Sequence, residues 1–155
     1  MLTENFKLVP VMSTGDFGIA LAGDSINMKN YHKATFLVSL GAVAGAGLVL
    51  QLYSGVSDGA LTTLRTFRYA HGGAAIGSAN CDVLEDWTTA ATTGWAIGDS
   101  AHDSFFAVIE FDAAELTLSH NWLTIYPNGG TSGIAHIIAV LEPRYGSNVA
   151  VTALT

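Results

Sequence analysis

The chain has 155 residues, half of them hydrophobic and only 12% charged, and 13 acidic against 6 basic residues give a formal net charge of −7. This length fits one domain with one core, and the excess of acid argues against binding to phosphate backbones, so we expect no nucleic-acid partner. The charged fraction is about half the usual share. It predicts that part of the surface is apolar and buried against another subunit.

Alternating apolar residues predict strands along most of the chain. Pro10 lacks an amide donor, so the first of these strands suits a sheet edge. Asp112 and Glu115 have the spacing of a capping box, the pattern that begins many helices, and they predict a single helical turn. The predicted strands cover residues 6–11, 17–21, 25–28, 33–40, 48–54, 63–70, 87–95, 104–111, 121–126 and 133–141.

One stretch resembles a membrane span by hydropathy alone, because residues 34–57 carry no charge. Gly41, Gly45 and Gly47 interrupt it, and the apolar residues on both sides recur with a period of two. We therefore interpret it as two strands joined by a loop and expect no membrane partner.

The same landmarks occur twice along the chain. Gly23-Asp24-Ser25 returns as Gly98-Asp99-Ser100, and Arg68-Tyr69 returns as Arg144-Tyr145, 75 and 76 positions later. The pattern allows a two-half internal repeat, in which each half supplies strands whose apolar face the other half covers.

These observations predict an all-β fold: one antiparallel two-sheet β-sandwich, jelly-roll-like, of about 8–10 strands. We expect a single domain over 1–155, with an extended N-terminal arm (1–11) and a C-terminal tail (144–155). The predicted core consists of Phe36, Val38, Leu40, Leu48, Leu50, Leu52, Phe67, Phe105, Ile109, Ile125, Ile138 and Val140.

A Gly-Asp-Ser hydrolase is the sharpest enzymatic hypothesis. Ser25 would be the nucleophile, and Asp99 and His102 have the spacing of its partners. Such enzymes need long helices and an oxyanion hole, and this chain has neither amphipathic helices nor the further Gly and Asn motifs. We therefore predict that the protein is not an enzyme and has no catalytic residue.

No motif predicts a metal or a cofactor. The five histidines have no short ligand spacing, and the single cysteine, Cys81, excludes a cysteine-only zinc site. The glycines of residues 41–47 are not followed by Gly-Lys-Ser/Thr. Trp87, Trp95 and Trp122 are typical of core or interface packing, with a sugar-binding face as the alternative.

Several segments resemble small virion proteins of tailed bacteriophages, the head decoration or cement proteins. The similar segments are Phe6–Pro10, Gly23–Phe36, Thr66–Tyr69, Val108–Leu116 and Pro143–Tyr145 through Thr152–Leu154. The resemblance implies a β-sandwich made in the host cytoplasm that binds the outer surface of a phage head. Its partners would be the major capsid protein and itself, as a homotrimer.

The ends of the chain are then the expected contact segments, joining neighbours by strand addition and apolar burial. The interface residues are predicted to be Leu2, Phe6, Leu8, Val11, Arg144, Tyr145, Val149 and Val151. Two alternatives stay open: a phage tail or fibre-associated β-domain, and a carbohydrate-binding β-sandwich that uses its tryptophans.

Overall fold

The computed structural model describes residues 2–16, 22–44, 48–98, 101–129, 132–146 and 152–154. Within these residues lie a four-residue helix, α1 (Leu2–Asn5), and two 3-10 turns, Met28–Asn30 and Ala113–Glu115. The strands are β1 (Lys7–Asp16), β2 (Ile26–Asn27), β3 (Tyr31–Ala44), β4 (Val49–Gly55), β5 (Thr63–Arg65), β6 (Phe67–His71), β7 (Thr88–Ala90), β8 (Trp95–Ala96), β9 (Phe106–Asp112), β10 (Trp122–Asn128) and β11 (Ser132–Pro143).

The strands form two antiparallel sheets, which confirms the predicted all-β sandwich. The six-stranded sheet has the order β1-β11-β3-β9-β6-β7, and the five-stranded sheet has the order β2-β10-β4-β5, with β8 beside β4. β3 and β9 lie in the first sheet while β4 and β10 lie in the second, so both halves of the chain alternate between the sheets in the same way. The internal repeat itself stays a prediction.

The predicted strands are present, with some interruptions. The strand predicted over 63–70 is divided at Thr66, where the chain passes from the five-stranded to the six-stranded sheet. Residues 87–95 form only β7 and the start of β8, and residues 17–21 lie outside the described part of the chain. The turn predicted at Asp112 is present, since its Oδ1 accepts a hydrogen bond from the Ala114 amide at 2.7 Å.

The core lies between the sheets and receives one face of each long strand. Phe36 and Ile109 from the six-stranded sheet and Leu50 and Leu123 from the five-stranded sheet are all fully buried in one cluster. Each such side chain contributes about 1.5–3 kcal/mol when fully buried. The core therefore supplies the main stabilisation of the two-layer fold.

The predicted core facing is wrong for β11. Ile138 and Val140 are only half-buried, whereas Ile137, Ala139 and Leu141 are fully buried. Ala139 lies directly opposite Phe36, so a small residue faces the core where a large neighbour already fills the space. Phe105 is also half-buried and packs at the margin of the core.

A short segment ties the edges of the two sheets together. The Gly23 amide donates to the Ile125 carbonyl of β10 at 3.0 Å, and the Asp24 amide donates to the Val11 carbonyl of β1 at 2.8 Å. A Cβ at Gly23 would lie 3.1 Å from Ile125 Cγ2 and 3.2 Å from Val11 Cγ1. Glycine at this position therefore allows the chain to pass closely between the sheets.

Burial of Tyr31 predicts a loss of stability at alkaline pH. The side chain is 1% exposed, and burial raises the pKa of its phenol above the ordinary 10.0. The folded state thus holds this proton more tightly than the unfolded state. The associated free energy of unfolding is fully present below pH 10.0 and is lost as the pH rises through the raised folded pKa.

The measurement is urea unfolding of the parent and Tyr31→Phe across this alkaline range, together with tyrosinate absorbance. The absorbance difference between the two proteins isolates the Tyr31 phenol, which we expect to titrate above 10.0 in the folded state. A titration midpoint of this absorbance difference at or below pH 10.0 would contradict the prediction.

Candidate interaction surface

Both terminal segments of the described chain lie at one end of the six-stranded sheet. β1 runs antiparallel to β11, and Lys7 at the start of β1 lies opposite Leu141 near the end of β11. Residues 2–6 and 144–146 therefore extend beyond the same end of the sheet. The expected arm at 1–11 is instead the helix α1 followed by an edge strand that belongs to the sandwich.

Four of the predicted interface residues lie on the segments at this end. The exposed fractions are 56% for Leu2, 39% for Leu8 and 72% for Tyr145, and Phe6 is half-buried. The loop after β9 reaches the same end because Asp112 lies opposite Lys33, the partner of Glu142. It adds an apolar side chain that sequence reasoning missed.

That side chain is Leu118, which is 94% exposed. The signal in the sequence is an apolar residue in the polar turn Thr117-Leu118-Ser119-His120. We call Leu2, Phe6, Leu8, Leu118 and Tyr145 the terminal surface.

The other predicted interface residues do not join this surface. Val11 is 3% exposed and belongs to the core, because it alternates in phase with the inward-facing Val9 on β1. Arg144 is exposed, but its amide donates to Asn30 O at 2.9 Å and its Nε to Tyr31 O at 3.2 Å, so it is held against its own chain. Val149 and Val151 lie outside the described residues.

The described part of the C-terminal tail packs on its own chain. The Asn27 amide of β2 donates to the Ala153 carbonyl at 2.8 Å, and Ala153 is 1% exposed. Residues 152–154 therefore lie against the edge strand β2.

The outward side of β1, β11 and β3 carries a contiguous group of aliphatic side chains. Leu8 lies opposite Val140, Pro10 lies opposite Ile138, and Ile138 lies opposite Leu37. Ile134 lies further along the same side of β11, beyond His136, and is 44% exposed. We call these six residues, Leu8, Pro10, Leu37, Ile134, Ile138 and Val140, the aliphatic face.

Part of the outward side of each sheet is covered by the chain itself. Ala70 and Val108 face outward by register but are only 1% and 9% exposed, next to residues 72–84, whose Ile76 amide bonds Ser104 O at 2.7 Å. Thr124 on the five-stranded sheet is likewise 1% exposed. The residues of the aliphatic face are more exposed than these covered positions.

Charged residues lie beside the aliphatic face, and Asp16 of β1 is directly opposite Ile134. Lys33 Nζ lies 2.7 Å from Glu110 Oε1 at one border, and Glu142 lies opposite Lys33. His136 and Ser39 form a polar row between Ile138 and Ile134. A groove of about 470 Å³ beside β1 includes Pro10 and His136, so the face continues into a concave margin.

The hydrolase hypothesis receives no geometric support. Ser25 is 3% exposed, its Oγ lies 2.7 Å from Thr124 Oγ1, and it accepts the Gly59 amide at 2.9 Å. His102 contacts other groups, with its ring 5.4 Å from that of Trp95 and its Nδ1 donating to the Ile97 carbonyl. Asp99 lies outside the described residues.

The histidines that the fold gathers pack on aromatic rings. His71 and His102 lie 5.0 Å apart, centroid to centroid, and His71 is nearly parallel to Trp95 at 6.0 Å. His71 Nδ1 donates to the Gly72 carbonyl at 2.9 Å. Over the ranges that the structure describes, no group of three potential metal ligands occurs.

The three tryptophans lie in different environments. Trp95 is 3% exposed and stacks on Tyr69, while Trp122 is half-buried on β10. Trp87 is 39% exposed, and the Arg68 guanidinium lies 5.2 Å from its ring centroid. Trp95, one of the expected sugar-binding residues, is thus inside the core.

Comparison with known proteins yields no relative. No family model, curated protein or solved structure matches the chain. In the part of the chain that the structure describes, no helix has the length and hydropathy needed to cross a membrane.

Proposed function

We propose that this protein is a structural component of a virion: a decoration or cement protein that binds the outer surface of a phage head and stabilises it. The single observation that supports the proposal most directly is the terminal surface, whose exposed apolar side chains come from three separate segments at one end of the sandwich. Large apolar side chains exposed together mark contact surfaces in soluble proteins.

The terminal surface has apolar area available for burial in a contact. Leu118 and Tyr145 are 94% and 72% exposed, so most of their side-chain area is free to be buried. Burial contributes about 25 cal/mol per Å² of apolar surface, and a stable contact buries more than about 1,000 Å² in total. The terminal surface supplies an apolar centre for a contact with the major capsid protein.

The composition supports the same proposal. With only 12% charged residues, much of the chain's surface is formed by uncharged side chains, as the buried centres of protein interfaces are. A tail or fibre-associated position would use the same surface and the same physical chemistry. It is distinguished from a head position by which particle the protein binds.

A binding experiment tests this proposal. Purified protein is sedimented with phage heads, and separately with tails, from particles that lack it. We expect the parent to bind heads, and we expect Leu118→Asp and Tyr145→Asp to weaken binding at least about tenfold, which corresponds to about 1.4 kcal/mol.

Ile76→Asp is the matched control, since Ile76 is 51% exposed and lies beside Ser104, at the opposite end of β9 from Leu118. It should bind like the parent. Binding to tails alone would show that the protein belongs to the tail and not to the head. Full head binding by both terminal-surface variants would show that the terminal surface is not the contact.

A further inference from the structure

We propose that the outward side of the six-stranded sheet carries a binding groove for a neutral saccharide. The groove has a volume of about 400 Å³, which is within the range of small-molecule sites. Its polar lining consists mainly of six side chains, which we call the groove residues: Lys33, Arg68, Thr89, Glu110, Asp112 and Glu115. The proposal adds a ligand to the function above, and it does not depend on capsid binding.

Four neighbouring strands supply five of these side chains. Thr89 of β7 lies opposite Arg68 of β6, and Arg68 lies opposite Glu110 of β9. Lys33 of β3 lies opposite Asp112 at the end of β9. Directly opposite residues of an antiparallel pair have Cβ atoms about 4.5–5.5 Å apart. The polar groups therefore stand side by side on a paired sheet.

Arg68 presents hydrogen-bond donors that the described part of the chain does not use. Its guanidinium carbon lies 5.2 Å from the Trp87 ring centroid, a cation–π contact that restricts the side chain. Glu110, its neighbour on β9, is paired instead with Lys33 at 2.7 Å. No described residue accepts a hydrogen bond from the Arg68 guanidinium, so its N–H groups are available to a ligand.

The charges of the groove argue against a charged ligand. The carboxylates of Glu110, Asp112 and Glu115 lie among only two cations, and the whole chain has a formal net charge of −7, so an anion would be repelled. A metal cation is not favoured either, because the described residues contain no group of three potential metal ligands. The groove therefore suits a ligand that is polar but uncharged.

A saccharide has the polar groups that this arrangement requires. Each hydroxyl both donates and accepts hydrogen bonds, so neighbouring hydroxyls of one sugar ring can accept from Arg68 and donate to Asp112 or Glu115. The Thr89 hydroxyl can do either. Beyond Arg68, Trp87 is 39% exposed and offers an aromatic surface to the C–H side of a sugar ring.

An extended peptide is a poorer fit to the same groove. Such peptides bind by adding a strand to an exposed sheet edge. The groove lies on the face of β6 and β9, and each of these strands is paired on both sides, β9 with β3 and β6, and β6 with β9 and β7. Recognition there depends on side chains, which favours a ligand rich in hydroxyl groups.

The experiment is affinity electrophoresis of the full chain in native gels that contain dextran, galactomannan, xyloglucan or mixed-linkage β-glucan, each compared with a gel without polysaccharide. At least one of these neutral polymers should retard the parent. Arg68→Met keeps an apolar contact with Trp87 but removes the donors, and Glu110→Gln removes a carboxylate. Each should raise the dissociation constant at least about tenfold. Salt should change binding by the parent less than about twofold, because a neutral ligand has no charge to screen.

Lys29→Met is the matched control, since Lys29 is exposed and follows β2 in the other sheet. It should be retarded like the parent. Thermal melting shows whether each variant is folded, and Thr89→Ala, at an exposed position opposite Arg68, replaces any variant that unfolds and should also weaken binding. A parent that no polymer retards, binding that salt abolishes, or binding unchanged in the folded groove variants would overturn the proposal. These measurements use no phage particles, so their failure leaves the proposed function intact.

Discussion

Replacement of Ile109 by aspartate is expected to unfold the protein. Ile109 is 0% exposed at the centre of β9, with Phe36 opposite it on one side and Tyr69 on the other. A carboxylate there would have no cationic partner, and an uncompensated buried charge costs several kcal/mol. Since whole domains are stable by only about 5–15 kcal/mol, this change removes most or all of the stability.

Circular dichroism and urea unfolding measure this effect. Val83→Asp is the control, because Val83 is 58% exposed and its replacement should leave the unfolding midpoint nearly unchanged. If Ile109→Asp were soluble and melted like the parent, the inward facing of β9 would be incorrect.

Replacement of Gly94 by alanine is expected to produce the second largest loss. Gly94 has φ +92°, and a Cβ there would lie 2.4 Å from the Leu50 carbonyl oxygen and 2.7 Å from Val49 Cγ1. The left-handed backbone costs about 1–2 kcal/mol for an L-residue, and the overpacking adds about 1–3 kcal/mol. The turn before β8, which places β8 beside β4, would have to move.

Gly59→Ala separates the two contributions. Gly59 has φ +71°, but a Cβ added there would have no atom within 4 Å, so alanine should cost only the backbone component of about 1–2 kcal/mol. Urea midpoints of the two variants give the comparison. Equal losses at the two positions would contradict the close contact at Gly94.

Alternation predicts the strands well because most of them have one buried face. Phe36, Val38 and Leu40 show this pattern in β3, and all three are buried. In β11 nearly every position is apolar, so period two does not distinguish the inward from the outward set. The register of β11 against Phe36 in β3 decides which set of β11 residues faces inward. That register depends on packing between residues that are far apart in the sequence.

The same ambiguity explains what sequence reasoning misses at the surface. Alternation places Ile138 and Val140 in the core, so it does not predict their contribution to an outward aliphatic face. Leu2, Leu8 and Tyr145 are predicted contact residues because they lie near the ends of the chain. Their position at the same end of the sandwich as Leu118 depends on the antiparallel pairing of β1 with β11, which no local pattern encodes.

The adjacency of β1 and β11 has a consequence for biosynthesis. Lys7 pairs with Leu141, and β11 lies between β1 and β3. On the ribosome, β1 and β3 emerge long before the strand that separates them, so the six-stranded layer cannot close until β11 has been translated. Such distant pairing slows folding, and until then the nascent chain exposes strand edges that chaperones would need to shield.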